Sequence, residues 1–191
     1  MEMLTVISII ALLVALVFGS GSSRSPRRHV TQGYAQAIEA ALERYHALNG
    51  EYPVPVNADE TAELVSGKVY RIGAARCLYQ ALSGDGSDAI KGSGFAQDSS
   101  PSDGNVSTDE FKNSMITELP QTIWRKIGGS YILVDAFGRP FQYIKADAEK
   151  KNTINSSYDL WSYAEDVKNV MAKSKDTETH ASLGAKWIKN W

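Results

Sequence analysis

The chain has 191 residues, the length of one ordinary domain with at most an appendage. Hydrophobic residues make up 43% of it and charged residues 22%, which excludes wholesale disorder and collagen-like or low-complexity structure. Basic side chains number 20 against 22 acidic ones, for a formal net charge of -2, so there is no cationic excess for a nucleic-acid backbone. The single cysteine, Cys77, excludes a disulfide-stapled scaffold and reads as a small buried hydrophobe.

Residues 3–18 read MLTVISIIALLVALVF, with no charge and only Thr5 and Ser8 polar. Those hydroxyls can bond back to the preceding helical turn, so they cost little in lipid. At about 1.5 Å per residue the run makes a helix of roughly 24 Å, short of a bilayer core of about 30 Å. A secretory signal peptide has an apolar core of this size, but it starts with cations and ends at a small-residue cleavage site. No Lys or Arg precedes this run; Glu2 lies directly against it. A carboxylate on an apolar helix costs about 2.5–3.5 kcal/mol at the bilayer centre, partly offset near the N-terminus by the helix dipole. Glu2 therefore either sits among headgroups or pairs with a cation from another subunit. Arg24, Arg27 and Arg28 follow the run, and the positive-inside rule alone would place them in the cytoplasm.

Residues 19–26 (GSGSSRSP) break the pattern and read as a flexible linker. Beyond them Tyr34, Ile38, Ala41, Leu42, Tyr45 and Leu48 recur at three- and four-residue spacing, the stripe of an amphipathic helix. Glu39 and Glu43, one turn apart, repel weakly and are expected in solvent. Asn49-Gly50 ends the helix, because Gly takes the left-handed cap cheaply. His46 reads as a surface residue, with no second His or Cys spaced to join it as a ligand.

Residues 61–65 read as a helical turn. Residues 74–82 read as a second helix with Ala74, Cys77, Leu78 and Leu82 on one face. Residues 84–110 are rich in Gly, Ser and Asp and form a surface excursion. Asp85, Ser87 and Asp88 lack the EF-hand spacing and read as a solvated turn. Three strands are predicted at 131–134, 141–144 and 158–163. The first two are joined by a turn in which Asp135, Gly138 and Pro140 supply the chemistry. The third alternates as a half-buried strand. Such a sheet cannot leave its apolar face bare, and the stripe from Tyr34 to Leu48 is its cover. The expected fold is α+β: a long N-terminal helix, half transmembrane and half amphipathic, packed on a small antiparallel sheet. The chain divides into a membrane segment at 1–19, a linker and amphipathic helix at 20–49, and a globular head at 50–191.

The string EMLTVISIIA at 2–11 resembles the N-terminal methylation segment of type IV pilins and type II secretion pseudopilins. In that family a basic leader ending in Gly and a Phe-Thr-Leu-Ile-like stretch come before the glutamate. Neither stands before Glu2, so the resemblance implies a start upstream of Met1. Four or five restored apolar residues would bring the helix to about 30 Å. A restored leader would also remove the conflict with the three arginines. The string ALERYHALNGEYP at 41–53 resembles the end of the pseudopilin helix. DAFGRPFQY at 135–143 resembles the Asp-Pro-Trp-Gly-x-Pro-Tyr-x-Tyr hairpin, with Ala136 for the first Pro and Phe137 for the Trp. YDLWS at 158–162 resembles the next strand, through Tyr158, Asp159 and Trp161. IKNW at 188–191, ending in Trp191, is similar to a terminal Ile-Gly-Asn-Trp. Together these point to the major pseudopilin branch of type II secretion; residues 60–119 carry no resemblance.

That branch holds calcium in the loop after the third strand, through backbone carbonyls, a near Asp and a later Asp. The resemblance implies Tyr163 as the first carbonyl and Asp166 as the nearer carboxylate. The later acidic positions hold Ala185, Lys186 and Trp187, leaving Asp176 or Glu178 as substitutes; Lys186 there argues against a dication. No nucleophile elbow, zinc helix or phosphate loop occurs, and His29, His46 and His180 are scattered, so no enzyme is expected. The expected function is that of a structural pseudopilus subunit, anchored in a bacterial inner membrane with its head in the periplasm. It would polymerise through the apolar helix, with Glu2 meeting the methylated amino terminus of its neighbour. The implied partners are further copies, other pseudopilins, the inner-membrane assembly platform and a prepilin peptidase. The rivals are a minor type IV pilin, a membrane-tethered envelope binding module recognising a ligand through 84–110, and a small secreted enzyme.

Overall fold

The computed structural model describes residues 25–86, 114–116, 120–180 and 182–191. The apolar run with Glu2 and most of the 84–110 excursion lie outside the described residues. No helix among the described residues is long and apolar enough to cross a membrane.

Helix α1 spans Pro26–Asn49. Pro26 occupies its first turn, where a fixed φ and a missing N–H are assets, so the last residue of the sequence break is the start of the helix. Gly50 closes the other end at φ 77°, donating its N–H to the His46 carbonyl. Thr31, Ala35, Ile38, Ala41, Leu42 and Tyr45 are buried. The expected stripe fails at one end: Leu48 is 70% exposed. Glu43 is exposed, as expected, but accepts hydrogen bonds from the hydroxyls of Tyr52 and Tyr158. Glu39 is half-buried rather than solvated, and desolvation, then the charge of Glu43, raises its carboxyl above the usual range.

The predicted helical turn at 61–65 is instead strand β1, Thr61–Glu63, paired antiparallel with β2, Val69–Arg71. A 3-10 turn at Val65–Gly67 joins them, with Ser66 and Gly67 both in the left-handed region. The reversal decides the strand: Thr61 finds its partner in Arg71, beyond the reach of any local periodicity. Helix α2, Gly73–Ser83, follows at once, one residue longer at each end than the sequence pattern. Gly73 is required, since a Cβ there would run into the Asn57 carbonyl. Cys77 lies buried, and burial pushes its thiol far up.

Strands β3, Trp124–Ile127, and β4, Ser130–Leu133, form one antiparallel hairpin. Strands β5, Gln142–Lys145, β6, Tyr158–Ser162, and β7, Ile188–Lys189, form a second antiparallel sheet with β6 in the middle. The expected three-stranded sheet is thus corrected. The segment at 131–134 is a strand, but its ladder partner is β3, and the third strand of the sheet with β5 and β6 is β7, paired to β6. Between β4 and β5 the link is short: the bridge of Val134 to Pro140, the bond from Asp135 N–H to Arg139 C=O and the bond from Phe141 N–H to Leu133 C=O. Pro140 has no N–H to continue a ladder there.

Two apolar clusters flank β6. On one side Ile38, Leu42 and Tyr45 of α1 and Leu78 and Leu82 of α2 pack on Phe141, Tyr143 and Leu160. On the other lie Tyr70, Trp161, Tyr163, Val170 and Trp187. All of Tyr158–Ser162 is therefore buried, where alternation predicted a half-exposed strand. The chain is an α+β fold in which the N-terminal helix packs against small antiparallel sheets.

Candidate functional site

The motif residues converge around β6. The turn after β4 is built by Asp135, 1% exposed, whose Oδ1 accepts the N–H groups of Phe137 at 2.8 Å and Arg139 at 2.9 Å. This is an Asx turn, a carboxylate standing in for backbone acceptors. Gly138, at φ 77°, takes its left-handed position. Ser162 of β6 donates its hydroxyl to Asp135 Oδ2 and accepts the Ala164 N–H at 2.9 Å. Burial raises the Asp135 carboxyl above its usual range, against the pull of Ser162 and the two backbone donors. From α1, Thr31 Oγ1 accepts the Ala136 N–H at 3.2 Å, tying the turn to the helix. Asp159, fully buried in β6, accepts the N–H groups of Ile154 at 2.7 Å and Asn155 at 2.9 Å and so fixes the approach to its own strand.

The loop after β6 closes on itself. The Tyr163 carbonyl accepts the Asp166 N–H at 2.8 Å, and Ala164 between them stands at φ 46°. Asp166 Oδ1 accepts the N–H groups of Lys168 at 2.9 Å and Asn169 at 3.2 Å. Its Oδ2 accepts Asn169 Nδ2 at 2.9 Å and Trp187 Nε1 at 3.1 Å. Burial alone would raise this carboxyl; the hydrogen bonds from Asn169, Lys168 and Trp187 prevail and hold it below its usual range. The Tyr163 hydroxyl donates to the Ala172 carbonyl at 2.9 Å, and burial pushes it up to about 12 against the opposing charge of Arg71.

Tyr163 and Asp166 thus share one turn. Asp176 begins the short helix α3, Asp176–Thr179, where its Oδ2 accepts the Lys173 N–H at 2.8 Å. Glu178 pairs with Lys175. Among the described residues, no group of three or more His, Cys, Asp or Glu side chains could hold a metal ion. Calcium takes six to eight oxygen ligands. The donor set around Asp166 does not fit that requirement, because a nitrogen donor, Trp187 Nε1, stands against the carboxylate where a ligand oxygen would be needed.

The C-terminus completes the arrangement. Trp161 stacks on Trp187, with ring centroids 6.0 Å apart, and meets Trp191 edge-on at 5.7 Å. Asn190 extends the β7 pairing, with Oδ1 accepting the Leu160 N–H at 3.0 Å. Arg28 at the start of α1 donates to Glu165 at 2.7 Å and to the carbonyls of Lys186 at 2.8 Å and Trp187 at 3.2 Å. An open cleft of about 610 Å³ runs between α1 and the C-terminal strand, lined by Arg28, Gln32, Glu39 and Trp191 among others. His46 stacks on Tyr52 at 4.5 Å.

Sequence alone marks Arg28 only as a charge after the apolar run and Trp187 only as a position without an acid, and it does not single out Arg139 or Asn169. Arg139 lies inside the DAFGRPFQY motif at 135–143, which is a local signal for it. Nothing local marks the partners of Arg28, which are more than a hundred residues away. No family model, curated protein or solved structure matches this chain.

Proposed function

We propose that this chain is a filament subunit of the pilin-like class, of the major pseudopilin type that supports type II protein secretion. One observation carries the reading. The motifs that bear the resemblance, scattered from 41 to 191, meet around one strand, with the Asp135 turn held by Ser162 and Trp191 by Trp161 of β6, and α1 laid across the sheet. A helix that begins at Pro26, separated by seven residues from the apolar run in the sequence, suits a head carried on an apolar rod. The rod anchors the subunit in the inner membrane, with the head in the periplasm, and then packs with its copies in a filament core. In that core the Glu2 carboxylate needs a cation, and a neighbouring chain's amino terminus supplies it. An unpaired charge there costs several kcal/mol or more, on the order of 3–5, so the pairing sets subunit register. The role is structural, not catalytic.

Glu2→Val tests it. The variant is expected to enter the membrane fraction like the parent while sheared filaments, collected by sedimentation and viewed by electron microscopy, are lost. Filaments at parental yield would remove the Glu2 pairing from the assembly, and a parent chain that forms no filaments would favour the membrane-tethered binding module.

A further inference from the structure

Asp166 is the meeting point of three parts of the chain distant in sequence. Its two carboxylate oxygens accept four hydrogen bonds, two from backbone N–H groups of its own turn, one from the Asn169 amide and one from the Trp187 indole. Its carbonyl accepts Arg139 Nη1 at 3.1 Å, reaching from the Asp135 turn. Trp187 is itself held, stacked on Trp161 and edge-on to Tyr163 at 5.1 Å, and its carbonyl accepts Arg28 from α1.

An ionised carboxylate offers about four lone-pair sites, and all four are used. A divalent cation at this carboxylate would have to displace the Trp187 or Asn169 donor. A buried N–H without a partner is expensive, and the guanidinium of Arg139 beside the loop opposes an added positive charge. The nitrogen donors therefore do here what a cation does elsewhere: they gather acceptor oxygens from separate segments onto one point.

We propose that Trp187, Asn169 and Arg139 form a donor latch on Asp166 that takes the structural place the family resemblance assigns to calcium, so that the head holds its C-terminal loop without a divalent cation. The inference rests on the hydrogen bonds of this chain and not on the filament reading, which the Glu2 variant tests separately.

The experiment is thermal unfolding of the full 191-residue chain in detergent, followed by circular dichroism, in EDTA and in millimolar calcium chloride. The unmodified chain is expected to melt at the same temperature in both, within about 1 °C. Trp187→Phe keeps an aromatic ring but removes the donor, and its midpoint should fall by about 4–8 °C with or without calcium. Asn169→Asp is nearly isosteric and turns a donor into a second carboxylate facing Asp166. It should fall by a similar amount in EDTA, and it serves if the tryptophan variant does not fold. A rise of several degrees on adding calcium to the unmodified chain would overturn the proposal. So would Asn169→Asp melting in EDTA like the parent.

Discussion

At the scale of single residues, two aspartates of the head are set against each other. Asp135 is buried where its charge is disfavoured, yet two backbone donors and Ser162 need it as an acceptor. Asp135→Ala leaves those donors unsatisfied and should cost about 2–4 kcal/mol in urea unfolding. Asp135→Asn keeps the acceptor for Phe137 and Arg139 and should cost less than half of that, about 1 kcal/mol. The pH dependence has opposite signs at the two sites. A raised carboxyl such as Asp135 contributes stability below its ordinary value of 3.8 that is lost as pH rises through its folded value. A lowered one such as Asp166 contributes stability above 3.8 that is lost as pH falls through its folded value. Asp166→Asn should therefore flatten the fall of unfolding free energy between neutral pH and pH values below 3.8. A parental slope in that variant would remove Asp166 as its source.

At the scale of elements, α1 shows how much a periodic pattern can say. Leu42 and Leu48 lie on the same expected stripe, but Leu42 is fully buried against α2 and the sheet while Leu48 is 70% exposed. Leu42→Ala should cost about 2–5 kcal/mol and Leu48→Ala no more than about 0.5, read by denaturant unfolding of each variant. The existence of α1 and α2 was legible because 3.6-residue spacing and a glycine cap are local signals. So was the Asp135 turn, whose chemistry lies within six consecutive residues. Strand β1 carries the local pattern of a helical turn, and β3 and β7 carry no local strand pattern. Each is four residues or shorter, and each becomes a strand only because another segment offers its backbone groups: Arg71 to Thr61, Leu133 to Trp124, Trp161 to Lys189.

At the scale of the whole molecule, the C-terminal residues hold the fold together. Trp187 and Asn190 close the far side of β6, and Arg28 ties the start of α1 to the same strand of chain. The head is thus pinned near the point where, in the sequence, the apolar segment gives way to α1. In the filament reading, that is where pull on the rod would enter the head.

The amino-acid order by itself determined the amphipathic helix and its glycine stop, the second helix and the aspartate-led turn, since each depends on neighbours within a few residues. Only the tertiary structure decided which strands share a ladder, that both faces of β6 are covered, and that Asp166 is met by an indole and an amide. Every segment carries the same backbone donors and acceptors. Which of them meet depends on loop closure and packing among residues far apart in the chain, and no local pattern records that.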